Sequence, residues 1–446
     1  MIIIMGATLP LVIGCAGLAT DTIQWTLWKR QLQRAADSAA LAGVYTRTVT
    51  DTQAAVEGSV CNDLLKNQQT GLALYGTDTA ACINGSSQKA KVTLVGTATT
   101  GALTQQVAVR LQVQQSLPFS SMFMTAAPII TANATAASVP GGGDPCFKVE
   151  DRTASGILKF TGNAEIYSPD CPGFSNGSGN NVSTAAGSAK VTLSWVGGVG
   201  GVAQTSRFTV GAYRPYSPAL DDPYIKVNPS SSDMVCNTTT TDKKGNPVSG
   251  PVVLDENTTF PLYDKSSGTN VPTNCFSSLS VGANRTLTLP PNQTYYINGG
   301  DAFIQGDLSC SGCTIVLTNK DTSSATATIG TFKVNSTANV NISAPSTGKF
   351  KGIAIYQDRR AVDSPSNVNK VNGNSGSQIL GAMYFPNQEL EYNGTGTTTA
   401  ICTVFDAKRL TFSGNSTTSN KFKGLDQCAA YGLGDTGSVR IVRLVA

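Results

Sequence analysis

The sequence predicts a mostly β protein of the α+β class, carried on one long N-terminal helix. Three observations lead there. Residues 2–20 are almost uninterrupted apolar sequence and run, with no turn signal, into an amphipathic helical pattern that reaches residue 47. Beyond residue 139 the apolar residues fall in short alternating runs bounded by Gly, Asn or Asp, which is strand and turn chemistry. Ten of the eleven cysteines lie outside the apolar run and form five local pairs along the chain. At 446 residues the chain exceeds one typical core. We divide it into a transmembrane anchor (1–28), an α+β stalk module (22–139), a Gly-rich linker (140–145), a disulfide-bounded β and loop region (146–280) and a repeat region (281–446).

Charged residues make up only 13% of the chain, with 45 glycines and frequent Asn, Ser and Thr, which suits a β-rich extracellular protein. The 40% hydrophobic content argues against disorder. The net charge of +4 is shared evenly between residues 1–140 and the rest, so no basic stripe exists to track phosphates and nucleic-acid binding is not expected. The sequence contains no histidine, which removes Ser-His-Asp triads, Cys-His dyads and imidazole metal sites.

Cys15 lies inside the apolar run. The others pair in order as Cys61 with Cys82, Cys146 with Cys171, Cys236 with Cys275, Cys310 with Cys313, and Cys402 with Cys428. Sequential pairing is the simplest reading, although connectivity does not follow from sequence. Cys310-Ser-Gly-Cys313 has the spacing of half a zinc knuckle, but no second CxxC or histidine completes it. It also lies between strands instead of opening a helix, where a redox thiolate would be activated. Structural disulfides in an oxidising compartment are the expectation, with no metal or cofactor.

Ile2–Thr20 is about long enough to span a bilayer, which takes ~20 residues for a ~30 Å core. Trp25 and Trp28 fall where an interfacial aromatic belt would lie. A cleaved signal peptide is the alternative, and it lacks a basic first region. Lys29, Arg30 and Arg34 follow the span with nothing basic before it, so the positive-inside rule would leave the bulk in the cytoplasm. Five cysteine pairs argue for the outside, and a basic segment ahead of Met1 would reconcile the two.

From Thr22 to Arg47, Trp25, Trp28, Leu32, Ala36, Ala39 and Gly43 form one apolar, small-residue stripe suited to close packing. Arg34 is placed to pair with Asp37. Asp51–Asn67 reads as a second helix capped by Thr50 or Asp51. Strands follow at Lys91–Leu94, Gln106–Gln112 and Ile129–Ser138.

GCAGLATDTIQWTLWKRQLQRAADSAALAG resembles the N-terminal signature of the TadE/TadG-like proteins of the Flp (tight adherence) pilus system. The positions that carry the resemblance are Gly17, Leu18, Ala19 and Asp21, then Trp25, then Arg30, Gln31, Leu32 and Gln33, then Ala35, Ala36, Asp37, Ala39, Ala40, Leu41 and Ala42. The likeness is close over about thirty residues, looser to about residue 140, and departs where the family has more polar or basic residues before its span. It implies a structural role in Flp/Tad pilus assembly, with other Tad assembly proteins as partners. It also implies a single-pass inner-membrane protein held in the bilayer by residues 1–28, its bulk periplasmic or extracellular.

After the linker, Pro215–Pro229 reads as an extended crossing segment and Cys236–Cys275 as loop-rich. From Leu279 onward eleven short strands follow, TLTLP, TYYIN, AFIQG, TIVLT, FKVN, VNIS, GIAIYQ, LGAMYFP, LEYNG, ICTVFDA and RLTFSG. Such short repeats predict a right-handed parallel β-helix, with a β-sandwich as the alternative.

No enzymatic constellation stands out. Glu150-Asp151, Asp221-Asp222 and Asp255-Glu256 are adjacent acidic pairs that could be tried for paired-carboxylate work, and we read them as turn residues. Asp358 and Asp363 flank Arg359-Arg360, read as Arg–Asp pairing in a solvated loop. Val191–Val196 with Gly198 and Gly200 only superficially matches a dinucleotide fingerprint, because no helix pattern follows. Tyr295, Tyr296, Tyr356, Tyr384, Phe385 and Tyr392 could line a sugar-binding face, but stacked ladders are the blander reading. A surface adhesin or carbohydrate-binding β-helix on the same anchor is therefore the alternative to a non-catalytic scaffold.

Overall fold

The computed structural model describes residues 2–66, 80–81, 89–95, 104–122, 124–140, 145–236, 239–241, 247–249, 252–260, 262–264, 269–271, 273–321, 327–373, 376–394, 402–414, 417–418, 425–433 and 440–445. They form two compact units, residues 1–141 with 440–446, and residues 142–439.

In the first unit, helix α1 runs unbroken from Ile2 to Val49 and α2 from Gln53 to Lys66. Both pack on an antiparallel sheet ordered Ala80–Ala81, Lys89–Val95, Thr104–Val113, Ile130–Pro140 and Arg440–Leu444. The small-residue stripe explains the closeness. Ala36, Ala39, Ala40 and Val44 of α1 are buried with Val56 and Val60 of α2 and with Ala132, Ala134 and Ala136 of the sheet. A Cβ on Gly43 would lie 2.9 Å from Val107 and 3.1 Å from Val60, so the helices and sheet meet where only a glycine leaves room. Burying valines and leucines such as Leu32, Val44 and Val60 contributes about 1.5–3 kcal/mol each.

Several expectations change here. No helix among the described residues is long and apolar enough to cross a membrane. The side chains of residues 1–13, which hold most of the apolar run, lie outside the description. Trp28, expected at the interface, is buried in the core of this unit, and half-buried Trp25 packs against that core. Asp37 takes its hydrogen bond from Gln33 Nε2 at 2.9 Å, not from Arg34, because that donor stands one turn before it on the same face. Asp51 does not cap α2: the helix begins two residues later, and the carboxylate is held 2.8 Å from Arg47 Nε. Strand pairing with Arg440–Leu444 carries Ile130–Pro140 through Pro140, the first residue we assigned to the linker. It also returns the chain's end to this unit.

The second unit is built on a 20-stranded sheet whose pairings are all parallel, unlike the antiparallel pairs of an immunoglobulin-like sandwich. From Cys275 to Ser343 each strand pairs with the third strand after it. One ladder reads Cys275–Phe276, Thr294–Asn298, Thr314–Thr318 and Ile353–Gln357, and then Gln378–Gly394 and Thr403–Ser413. It continues through Phe147–Val149, Gly173–Ser175, Val196–Gly198 and Tyr213–Arg214. Strands early in the chain thus extend the stack beyond its late ones. LGAMYFP and LEYNG, read as two strands, are parts of one strand, and so are ICTVFDA and RLTFSG; the register shifts between Phe385 and Glu389 where the direction of the ladder is re-aimed. Alternate residues of this ladder, such as Tyr295, Ile315, Ile355, Met383, Phe405 and Phe147, stack into one core.

Four of the expected disulfides are present, Cys146–Cys171, Cys236–Cys275, Cys310–Cys313 and Cys402–Cys428. Cys61 is also disulfide-bonded, while Cys82, which the sequence pairs with it, lies outside the described residues. Cys15 is free and exposed.

Candidate functional site

In a half-covered strand alternate residues are exposed, yet Thr314–Thr318, Ile353–Gln357 and Phe147–Val149 are buried at every position. Something covers the outward residues too. Register places those residues in a single column: Cys275, Tyr296, Val316, Tyr356, Tyr384, Asp406, Lys148 and Phe174. The cover is residues 217–236, which lie along the column as a strap; their first part, to Pro229, falls in the segment 215–229 read as a crossing.

The strap is fastened at successive strands. Asn176 donates to Leu220 O at 2.9 Å and accepts from Leu220 N at 2.8 Å. Tyr384 Oη donates to Asp222 Oδ2 at 2.6 Å, and Tyr356 Oη to Val227 O at 2.6 Å. Arg359 supplies the centre: its guanidinium donates to Asp222 Oδ2, Val227 O, Asn228 Oδ1 and Tyr224 O and lies over the Tyr384 ring. Farther along, Lys349 pairs with Asp233 at 2.5 Å, Asn274 accepts from Val235 N, and Cys236 is bonded to Cys275 at the head of the column.

Beneath the strap lies a buried cluster of opposite charges. Lys148 Nζ donates to Glu150 Oε1 at 2.5 Å and to Asp221 O at 2.7 Å, and stands 3.8 Å from Asp406 Oδ2. Carboxylate oxygens of Glu150, Asp222 and Asp406 lie within 4.8 Å of one another. Neither oxygen of Asp406 accepts a hydrogen bond, its side chain is 1% exposed, and Glu150 lies beside it to take a hydrogen bond from its acid form. Burial pushes the Asp406 carboxyl well above the ordinary carboxylate range; Lys148 pulls it down without prevailing, and Glu150 and Asp222 add to the rise. Desolvation alone would lower Lys148, but Asp406 and Glu150 outweigh it and keep the ammonium form. Burial likewise pushes the Tyr384 hydroxyl up, with Asp222 adding to it, so it stays a donor.

Three carboxylates at this spacing have the donor chemistry of a hard cation site. The Lys148 ammonium stands among them, in the place such a cation would take. A larger open groove of about 450 Å³, lined by Leu289, Pro291, Cys310, Ile342 and Leu380 among others, is lined by no charged side chain.

The sequence gathered these residues only in pieces. Glu150 is not the turn residue we expected; Asp222 does close a turn, accepting from Tyr224 N at 2.8 Å, and the two carboxylates are also brought together from positions 72 residues apart. Asp151 does close a turn, accepting from Thr153 N and Ala154 N, and Asp255 does so for Asn257. Glu256 accepts from Gly282 N. Asp358 pairs with Arg360 and Asp363 with Arg409, while Arg359 reaches the strap instead. Tyr295, Tyr296, Tyr356, Tyr384, Phe385 and Tyr392 are all buried, so they line no open sugar-binding face. Lys148 and Asp406 carried no signal: neither belongs to a motif or an adjacent acidic pair.

The helix signature has its own geometry. Gly17 and Asp21, one turn apart, meet the same segment: a Cβ on Gly17 would overlap the Phe119 ring at 2.2 Å, and Asp21 Oδ2 accepts from Ser120 N at 2.5 Å. Gln33 Nε2 donates to Asn133 O at 2.8 Å, and Lys29 to Thr131 O. Leu32, Ala36, Ala39 and Ala40 are buried, Gln31, Ala35, Leu41 and Ala42 are half-buried, and Leu18, Ala19 and Arg30 are exposed. These are the residues on which a family is recognised. Residues 1–51 match the putative Flp pilus-assembly TadE/G-like family. The match ends with α1 and Asp51, and supports a pilus-assembly role and an envelope association at that level. No curated protein and no solved structure matches the chain.

Proposed function

We propose that this chain is a non-catalytic structural component of Flp/Tad pilus assembly, held in the bacterial inner membrane by residues 1–28 with its bulk outside the cytoplasm. The observation that carries the reading is the family match over residues 1–51, the one stretch whose residues point to a known system. On this reading the second unit is a right-handed parallel β-helix, supported by parallel pairing of each strand with the third after it. Leu18, Ile23 and Leu27 leave exposed apolar surface on α1, available to lipid or to a helix of another Tad assembly protein. The lack of histidine and the strap over the charged cluster favour a mechanical role over chemistry on an outside substrate.

Deleting the chain from a pilus-producing bacterium tests this. Surface pili are expected to be lost, and to return with the full chain but not with one lacking residues 1–28. Normal piliation after deletion would overturn the proposal.

A further inference from the structure

We propose that Lys148 and Asp406 become joined by an intramolecular isopeptide bond, Nζ to Cγ, with Glu150 carrying the proton. The bond would clip the strand Phe147–Val149 to Thr403–Ser413, fastening residues near the two ends of the second unit.

Geometry carries the inference. Lys148 and Asp406 are register partners on adjacent parallel strands, and Nζ stands 3.8 Å from Asp406 Oδ2. Both side chains are almost wholly buried, at 5% and 1% exposure. Two of the three ammonium hydrogens are held, by Glu150 Oε1 and by Asp221 O, which fixes the nitrogen beside its target. Neither Asp406 oxygen accepts a hydrogen bond, and the Glu150 carboxylate lies beside it to take one from its acid form. Register and burial hold the two groups together, so the encounter entropy of an amine and an acid is already spent by folding.

In water an amine and an acid ionise and do not condense. Here burial keeps Asp406 in its acid form, which is the electrophilic one. Lys148 rests as an ammonium, and Glu150 at 2.5 Å is the base that takes its proton. The free amine attacks Asp406 Cγ, forming the C–N bond and a tetrahedral centre. Glu150 returns its proton to the departing hydroxyl, the C–O bond breaks, and one water leaves. The second nitrogen proton passes to Glu150, which ends as the acid. An ammonium, a carboxylic acid and a carboxylate thus become an amide, a water and a carboxylic acid, with charge conserved and no oxidant or reductant. A cavity of about 20 Å³ bordered by Lys148, Asp406 and Tyr224 is of the size of about one water. The strap over it keeps out the bulk water that would favour hydrolysis.

The test is the intact mass of the purified full chain after complete reduction and alkylation, with peptide mapping. The expected result is a mass one water lower than that of the fully alkylated sequence, and a branched peptide joining Lys148 to Asp406. Lys148→Arg and Glu150→Gln should have the full mass expected of their sequences and give linear peptides, with protease-resistance patterns that confirm folding. Asp406→Asn should yield the same branched peptide by losing ammonia instead. A folded wild-type chain of full mass, with Lys148 and Asp406 in separate linear peptides, overturns the proposal even where a variant fails to fold.

Discussion

Asp21 accepts a hydrogen bond from the backbone N–H of Ser120 at 2.5 Å, ninety-nine residues away in the chain. Asp21 is 4% exposed, and Gly17, one turn earlier, leaves the space that Phe119 fills. Two residues of the helix signature therefore do one job: they seat the turn Ser120–Met122 on α1. Replacing Asp21 with Ala leaves a buried N–H unpaired and should cost about 1–3 kcal/mol. Gly17→Leu should disturb the same place by steric overlap. Hydrogen exchange of the full chain should show faster exchange at Ser120 and Ser121 in both variants, with the second unit unchanged.

The strap depends on Arg359. Arg359→Ala leaves half-buried Asp222 beside Glu150 and Asp406 without its guanidinium, and should destabilise the second unit by about 1.5–3 kcal/mol. Arg359→Lys should recover only part of this, because one ammonium cannot reach acceptors spread over Asp222, Tyr224, Val227 and Asn228. Denaturant unfolding measures the loss, and amide exchange over residues 217–236 shows whether it is the strap that loosens.

Strap residues and turn residues differed in how far they could be read. The Ala/Gly stripe of α1, the strand IITANATAAS that receives it and the extended crossing at Pro215–Pro229 were legible, because each is a local pattern with a local cause. Glu150 and Asp222 were not. Their role depends on the stacking of Phe147–Val149 beyond Thr403–Ser413, a long-range register that no local periodicity encodes. Arg440–Leu444 escaped for the same reason: a charged alternating pentapeptide becomes a strand only because Ile130–Pro140 offers it an edge. The gap between LGAMYFP and LEYNG is absorbed as a register shift inside one strand.

Cys236–Cys275 ties the strap to the head of the column across 39 residues of sequence. Opening a loop of that kind costs about 2–4 kcal/mol. Cys236→Ser with Cys275→Ser should therefore lower the unfolding midpoint and expose residues 217–236 to proteases. An unchanged cleavage pattern would mean that the polar fastenings suffice.

Asp363 gives a pH dependence. Its hydrogen bond from Arg409 at 2.6 Å, helped by Lys408 at 2.9 Å, holds its carboxyl down to about 2. A depressed folded value means stability that is present above the ordinary carboxylate range, near pH 4, and lost as pH falls toward 2. Asp363→Asn should thus lower the unfolding midpoint at pH 7 and make little difference at pH 2. Thermal unfolding at the two pH values checks the sign.

The central claim is an envelope protein whose helix sits in the membrane and whose disulfide-bonded bulk lies outside. It is tested most directly by labelling thiols in intact cells and in spheroplasts with a membrane-impermeant reagent, with and without reductant. The account predicts that the cysteines beyond Cys15 react only after reduction and are reached from the outer side of the inner membrane. Thiols that react without reductant, and only once the inner membrane is broken, would contradict it.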